Sequence, residues 1–232
     1  MRSEELPVIR QLALFANMSE DNFAPLLQAA YLQTFPPQVQ LITEGDPADF
    51  LHVVVEGTIE LFAIANGRET ALQLLRPYST FILAAVLKDA VYLMSARTLE
   101  KSRILMIPSQ DVRAAFERDA AFARSIVVEL ASAFRAMVKE QKNQKLRSGI
   151  ERLANLLLRL HAEQGGDGRL ALPCDKRTLA VLLGMTPENL SRAFGTLKPY
   201  GVEVNGGEIR LTKLRDLETL AKPTPLIDDI AT

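Results

Sequence analysis

The period of the hydrophobic pattern changes twice along this chain, and these changes constrain the fold more than any other feature. Residues 3–16 and 19–32 show helical spacing. From 33 to about 108, short runs rich in β-branched residues alternate with turn residues, which is typical of a many-stranded β unit. Asn66-Gly67 predicts a two-residue hairpin turn between two of these runs. The runs are VQLITEG, FLHVVVEGTIELFAI, ETALQLLRP, FILAAVL, VYLMSARTL and SRILMIP.

Helical spacing returns after residue 108. A short helix is predicted from Ser109 and a longer one from about Ala120 to Lys145. The longer helix exceeds what its own β unit can cover, so its apolar stripe predicts a parallel pair of helices across a dimer axis. Packing of the first half of the stripe on the β unit remains an alternative. The stripe consists of Phe122, Ile126, Leu130, Phe134, Met137 and Val138.

The last third of the chain has the pattern of a small helical domain that ends in a hairpin. Ser148-Gly149 is a predicted hinge, and a helix, the short strand GRLALP and two more helices follow it. A second hairpin is predicted at Asn205-Gly206-Gly207. Residues beyond Pro223 are predicted to be loose.

Within this domain, KRTLAVLLGMTPENLSRAFGTLK predicts two short helices joined by a tight turn at Gly184. Thr186 is a good N-cap, and Pro187 occupies the first helical position, where a missing N–H costs nothing. This is the pattern of a helix-turn-helix, whose second helix enters the DNA major groove. The side chains predicted to face inward are Leu179, Leu182, Leu183, Leu190, Phe194 and Leu197.

With that inward face assigned, Glu188, Ser191, Arg192 and Thr196 point outward. Arginine can donate two hydrogen bonds to guanine, glutamate can accept one from cytosine, and serine can contact thymine. The first three residues are therefore the predicted base contacts. Alternatively, Glu188 favours the helix dipole and pairs with Arg192 at i,i+4. That pair is compatible with base contacts.

The chain has 27 basic and 28 acidic residues, so any affinity for DNA must come from local clusters. No apolar run approaches the roughly 20 residues that span a bilayer. The N-terminus also lacks a signal pattern, so a cytoplasmic location without membrane contact is expected. Candidate contacts to the DNA backbone are Lys139, Lys142, Lys145, Arg147, Lys176, Arg177, Thr186, Asn189, Lys198 and Arg210.

Over essentially its whole length the chain resembles the CRP/FNR family of bacterial transcription regulators. The resemblance rests on LITEGDPADFLHVVVEGTIELF, the long helix and LGMTPENLSRAF. It implies an α+β fold with an N-terminal β-roll (a cyclic-nucleotide-binding-like jelly roll, 1–118), a dimerisation helix (119–146) and a C-terminal winged helix-turn-helix (147–232).

The FNR branch of that family has Glu-x-x-Ser-Arg in its recognition helix, matched here by Glu188, Ser191 and Arg192. The resemblance therefore implies an inverted repeat with TTGAT-like half-sites as the target. It also implies three partners, namely double-stranded DNA, a second copy of the chain and RNA polymerase.

Members of the family that bind cyclic nucleotides use a Gly-Glu-Leu turn for the ribose and an Arg-Ser pair for the phosphate. Ala84 stands here in place of the glutamate, and Ala90-Val91 in place of Arg-Ser. Arg97 fits a later position of the pattern. A buried phosphate without a cationic partner is very costly, so a response to cAMP is not expected.

Two ideas about a signal remain. The apolar stretch FILAAVLKDAVYLM suits haem, with His52 as the candidate ligand. Cys174 is a candidate redox site, since Lys176 and Arg177 can lower its pKa. As the only cysteine, it excludes an FNR-type iron–sulfur cluster. The plainest interpretation has no cofactor and control by abundance, as in FixK-like members.

A rival interpretation is a ligand-binding or catalytic β-barrel protein whose helical part only dimerises. His52, His161 and Cys174 lie far apart in the sequence and form no triad or metal-binding pattern. We therefore expect no catalytic residue, no metal and no enzymatic activity.

Overall fold

A computed structural model describes residues 6–205 and 208–229. The chain divides into two units, Met1–Ala133 and Phe134–Thr232, and the division falls inside a long helix. The boundaries predicted from sequence, after residues 118 and 146, lie on either side of it.

The first unit is an eight-stranded double sheet. Helices α1 (Leu6–Arg10) and α2 (Glu20–Gln28) precede the strands. The antiparallel sheets have the orders β1-β8-β3-β6 and β2-β7-β4-β5, as in a jelly roll, and their inner faces enclose the core. The strands are β1 (Tyr31–Phe35), β2 (Gln40–Ile42), β3 (Phe50–Glu56), β4 (Ile59–Ala65), β5 (Arg68–Leu75), β6 (Thr80–Phe81), β7 (Ser95–Thr98) and β8 (Ser102–Pro108).

The hairpin predicted at Asn66-Gly67 joins β4 to β5. Both turn residues have positive φ, 52° and 73°, and Ala65 pairs with Arg68 across the turn. The prediction is therefore confirmed. An Asn-Gly pair adopts these angles at little energetic cost.

The strand predicted at FILAAVL is wrong over most of its length. Only Phe81 lies in a strand, and helix α3 follows at Leu83–Lys88. Leu83 and Val86 face the core, while Ala84 between them is exposed. Leucine and alanine are strong helix formers, and apolar residues three apart share one helical face.

Helices α4 (Ser109–Arg118) and α5 (Ala120–Leu146) follow close to their predicted positions. Phe122 and Ile126 of α5 are completely buried in the core of the first unit. Their predicted place in a dimer interface is therefore wrong, and Leu130 also packs partly against this core. The exposed part of the stripe begins at Phe134.

The second unit is a winged helix-turn-helix. Its three-stranded antiparallel sheet has the order β10-β11-β9. The elements are α6 (Gly149–Glu163), β9 (Arg169–Ala171), α7 (Lys176–Leu182), α8 (Pro187–Leu197), a 3₁₀ turn (Lys198–Tyr200), β10 (Val202–Asn205), β11 (Glu208–Leu211), α9 (Leu214–Ala221) and α10 (Pro225–Asp228).

Two predictions about this unit have different outcomes. Strands β10 and β11 pair as a hairpin, while its predicted turn residues Gly206 and Gly207 lie outside the described residues. Over residues 224–229, the part of the predicted loose segment that the structure describes, the prediction is wrong, because Pro225–Asp228 form α10 and Asp228 accepts two hydrogen bonds of 2.7 and 2.6 Å from Arg147. Among the described residues, none of the helices has the length and apolar character to cross a membrane.

Candidate nucleic-acid interface

Helix α8 begins at a well-formed cap. Gly184, with φ of 62°, makes the turn after α7. The Thr186 hydroxyl accepts a hydrogen bond from the backbone N–H of Asn189 (3.3 Å), and Pro187 is the first helical residue. The predicted N-cap is therefore confirmed.

The two faces of α8 differ sharply in burial. Its inward residues belong to the core of the second unit, together with Leu179 and Leu183 of the preceding helix and turn. Leu182 is only half-buried. The predicted inward face is thus formed mainly by Leu190, Phe194 and Leu197.

The three predicted base contacts lie together on the exposed face of α8. Glu188, Ser191 and Arg192 are all exposed, as is Thr196, whose hydroxyl donates to the carbonyl of Arg192 (3.1 Å). Among the described residues, the Arg192 guanidinium forms no hydrogen bond or ion pair, so the expected i,i+4 pair with Glu188 is absent.

Glu188 is negatively charged at neutral pH. A hydrogen bond from its own backbone N–H lowers the pKa of its carboxyl, and the Thr186 hydroxyl and the positive charge of Arg192 lower it further. The exposed face therefore offers an acceptor, a hydroxyl and an unpaired guanidinium within about one helical turn.

The candidate backbone contacts of the second unit are also exposed. Lys176 and Arg177 lie in the first turn of α7, and the Lys176 ammonium is 5.8 Å from the centre of the Phe194 ring. Arg210 lies on β11, opposite Glu203 of the wing hairpin. The remaining ones are Thr186, Asn189 and Lys198, and their contact with DNA stays a prediction.

Four basic residues at the end of α5 are candidate contacts to the DNA backbone, and for Arg147 this prediction is wrong. Its side chain is only 7% exposed, and its guanidinium is paired with the Asp228 carboxylate. Lys139 donates to the carbonyl of Asp229 (2.6 Å) and Lys142 to that of Leu226 (3.4 Å), so one donor of each ammonium group contacts the C-terminal segment. Lys145 is exposed.

Arg152, in the first turn of α6, was missed by the sequence analysis. Its Nη1 donates to the carbonyls of Gln144 (3.2 Å) and Arg147 (2.7 Å) near the end of α5. Its Nε donates to the carbonyl of Leu183 (2.8 Å) and its Nη2 to that of Gly184 (3.4 Å), both at the helix-turn-helix turn. No sequence signal separates this arginine from others on a polar helix face.

Comparison with known proteins identifies both units. The cyclic nucleotide-binding domain model matches residues 32–119, and the Crp-like helix-turn-helix domain model matches residues 151–222. The chain belongs to the CRP/FNR family of transcription regulators. The resemblance and the fold class predicted from sequence are confirmed, and since this is a family of regulators, so is the expectation that the chain is not an enzyme.

Similar CRP/FNR proteins extend over most of the chain. The nitrogen fixation regulation protein FixK of Rhizobium meliloti is 24% identical over 85% of this chain and 85% of its own length. A CRP-like cAMP-activated global transcriptional regulator of Mycobacterium tuberculosis is 20% identical over 93% of this chain and 97% of its own. The structure of FixK2 from Bradyrhizobium japonicum shares the fold, with a TM-score of 0.73 and 21% identity over 84% of this chain and 98% of that one.

The structure shows the surroundings of the β-roll positions at which the resemblance places the ligand groups of cyclic-nucleotide-binding members. Ala84 lies exposed on α3, and Val91 pairs with Pro47 in an isolated bridge. Arg97 is already paired with Glu60 (2.6 Å) and Glu69 (2.7 Å). A phosphate would therefore have to displace a carboxylate to reach this guanidinium.

His52 is part of the core of the β-roll. It is 3% exposed, its ring stacks on Phe81 with a centroid distance of 4.9 Å, and its Nδ1 makes no hydrogen bond of ordinary geometry to any residue that the structure describes. Burial lowers the pKa of His52 to about 4, although the backbone of Phe50 partly opposes the shift. An axial ligand must face a space large enough for a porphyrin, so His52 in this packing does not fit haem.

Two other residues with candidate chemistry lie in the second unit. Cys174 is half-buried against its core, just before Asp175, the N-cap of α7, and its redox role stays a prediction. His161 accepts a hydrogen bond at Nε2 from the backbone N–H of Gly168 (3.0 Å), which holds the loop before β9. The described residues include no cluster of histidine, cysteine and carboxylate groups that could bind a metal ion.

Proposed function

We propose that this CRP/FNR regulator acts as a homodimer that binds an inverted repeat with TTGAT-like half-sites. The observation that supports it best is the exposed row of Glu188, Ser191 and Arg192 on α8. A TTGAT half-site contains one G·C pair. Arg192 can donate two hydrogen bonds to its guanine, and Glu188, one turn away, can accept from its cytosine.

The state of Arg192 supports this assignment. Its guanidinium has no ion pair to break among the described residues before it reaches a base. Ser191, between the two charged residues, can contact thymine through its hydroxyl or its methylene. Lys176, Arg177, Thr186, Asn189, Lys198 and Arg210 supply contacts to the phosphate backbone, which position the protein but carry no sequence information.

Dimerisation is supported by the second half of α5. Phe134 and Met137 are 68% and 72% exposed, and Val138 is 41% exposed. Apolar residues at i, i+3 and i+4 form one helical face, and such a face is stable when a second helix covers it. A two-fold dimer bound to its repeat places the recognition helices about 34 Å apart, one DNA turn.

The same proposal includes neither control by cAMP nor a haem cofactor, and a redox role of Cys174 stays a separate prediction. The ligand positions in the β-roll hold Ala84, Ala90 and Val91, and Arg97 is occupied by two carboxylates. Regulation by the abundance of the chain is then sufficient. By family resemblance, the bound dimer also contacts RNA polymerase, as the activators of the family do.

Replacement of Arg192 tests base recognition. We expect Arg192→Ala to lower affinity for a TTGAT inverted repeat by about 1–3 kcal/mol per half-site, because one bidentate contact is lost. Affinity for a scrambled duplex of the same length stays unchanged. Fluorescence anisotropy at several salt concentrations measures both.

Two matched variants separate base contacts from charge. Arg177→Ala should weaken binding to both duplexes alike and reduce the salt slope by about one per subunit, or about two for the dimer. Arg159→Ala removes an exposed arginine on α6, whose ion pair is with Glu163, and should change neither affinity. If the wild-type protein binds the scrambled duplex as tightly as the repeat, the proposed specificity is wrong.

A further inference from the structure

The end of α5 is joined to the turn of the helix-turn-helix by side chains that make no part of the DNA-contacting face. Arg152 donates to carbonyls of both segments, and Gln144 adds a bond from its Nε2 to the carbonyl of Leu182 (3.3 Å). We call Arg152, Gln144 and the carbonyls that they bind the clasp.

The chemistry of the clasp depends on a guanidinium group. The last four carbonyls of a helix have no partner within it, and that of Gln144 is among them, while Arg147 directly follows the last helical residue, Leu146. A planar guanidinium presents donors in fixed directions, so Arg152 can bind these carbonyls and those of Leu183 and Gly184 at once. A lysine ammonium at this position keeps the charge but cannot reach all four.

Neighbouring groups hold both donors of the clasp in place. Ser148 and Glu151 form a reciprocal capping box at the start of α6, which fixes the turn that carries Arg152. The Gln144 amide also donates to a carboxylate oxygen of Glu140 (2.7 Å). A Cβ on Gly184 would lie 2.5 Å from Oε1 of Gln144, so a larger residue at this turn would displace the Gln144 amide from its present position.

We propose that the clasp sets the separation of the two recognition helices in the dimer, with Arg152 as a positioning residue for simultaneous binding of both half-sites. The inference rests on the proposed homodimer. The exposed stripe of α5 carries the dimer contact, and α8 carries the base contacts. The hydrogen bonds between α5 and the turn before α8 therefore fix the position of each recognition helix relative to the dimer contact. A rigid connection raises the effective concentration of the second recognition helix at correctly spaced half-sites.

The variant Arg152→Lys tests the proposal because it keeps the positive charge and removes the planar guanidinium with its fixed donor directions. Arg159→Lys is the matched control, since it makes the same change at an exposed site on the same helix. The probes are TTGAT inverted repeats with half-site centres about 10 base pairs apart, the same repeats lengthened by one or two base pairs, and a single half-site.

For Arg152→Lys we expect affinity for the correctly spaced repeat to fall about ten-fold, an ordinary size for coupling between sites. The preference for correct over lengthened spacing should shrink, and affinity for the single half-site should stay unchanged. Arg159→Lys should match the wild type throughout. An unchanged spacing preference in a folded Arg152→Lys dimer overturns the proposal.

A measurement without DNA distinguishes the failure of this inference from that of the proposed function. A spin label at Thr219→Cys, in a Cys174→Ser background, reports the distance between the two winged-helix units of the dimer. We expect Arg152→Lys to broaden the distance distribution, and an equally narrow distribution overturns the clasp. If Arg152→Lys does not fold, Gln144→Leu provides the same test with a smaller expected broadening. A monomeric wild type overturns the proposed dimer and the inference with it.

Discussion

At the scale of single residues, the Asp119 carboxylate joins the starts of two helices in the first unit. Its Oδ1 accepts from the backbone N–H groups of Ala121 (3.0 Å) and Phe122 (2.9 Å) at the start of α5. Its Oδ2 accepts from the backbone N–H and hydroxyl of Ser19 (2.9 and 2.8 Å) and from the Asn22 amide (3.1 Å) at α2. These donors, with the N–H of Phe122 first, hold the pKa of Asp119 well below its usual range.

Removal of this carboxylate should destabilise the protein. We expect Asp119→Ala to lower the free energy of unfolding by about 2–3 kcal/mol, because it removes a helix cap and charged hydrogen bonds. Asp119→Asn, which keeps one acceptor oxygen, should lose less. Urea unfolding monitored by circular dichroism measures both.

The pH dependence of this loss gives a sharper test. A carboxyl whose pKa is lowered by folding stabilises the protein above its unfolded pKa of about 4, and loses that contribution as pH falls toward the folded value. The difference between wild type and Asp119→Asn should therefore be constant from pH 7 to about 5 and shrink below pH 4. Asp21→Asn, an exposed carboxylate of α2, is the control, and equal effects of the two substitutions would contradict the assignment.

Residues whose role depends on the next few positions were predictable, and those whose partners are distant were not. Thr186 and Pro187 follow a capping rule that spans four residues. Asp119 accepts a hydrogen bond from Ser19, 100 positions away, and Arg152 donates hydrogen bonds to the carbonyls of Gln144 and Leu183. No spacing in the sequence indicates such pairs.

At the scale of elements, one helix has two different surroundings along its length. The stripe of α5 is continuous in the sequence, but Phe122 and Ile126 are buried within their own unit, while Phe134 and Met137 are exposed. Periodicity predicts that a face is apolar and says nothing about what covers it. For this reason the predicted interface was too long by its first two residues.

A charge in the exposed half of the stripe should prevent dimerisation. We expect Met137→Glu to be monomeric, because it places like charges near each other in a desolvated contact. Ser132→Glu is the matched control, since residue 132 is exposed and lies about 140° away around the helix. Sedimentation equilibrium measures the mass, and a Met137→Glu variant that still sediments at twice the chain mass would count against the interface.

Local sequence signals identified one hairpin correctly but did not distinguish a strand from a helix in a short apolar run. Asn66-Gly67 determined its turn because few residues accept two positive φ angles. FILAAVL had no such marker, and a short apolar run can be a buried strand or a helix. In α3 that ambiguity is resolved by the core, which receives Leu83 and Val86 from one side of a helix.

At the scale of the whole molecule, the β-roll matches a cyclic nucleotide-binding domain, and the proposal is that it does not respond to cAMP. The domain model matches residues 32–119, yet Ala84, Ala90 and Val91 stand at the ligand positions. Core side chains such as Phe81, Leu83 and Tyr92 account for the apolar character of this region.

We therefore expect that cAMP does not bind the β-roll. Saturating cAMP should leave the melting temperature unchanged, whereas a ligand at 100 times its Kd would stabilise the fold by about 2.7 kcal/mol. The cAMP-activated regulator of Mycobacterium tuberculosis serves as the positive control. The freshly purified protein should also show no Soret band, and either signal would contradict the proposal.

By itself, the sequence determined the family, the order of most elements and the outward face of α8, because these follow from local periodicity, caps and short motifs. The tertiary structure decided which apolar side chains are covered, which cations are already paired and how the turn before α8 is held to α5. Those properties depend on partners that are distant in the chain, as Arg147 with Asp228 and Arg152 with Gly184 illustrate. Only folding brings such partners together.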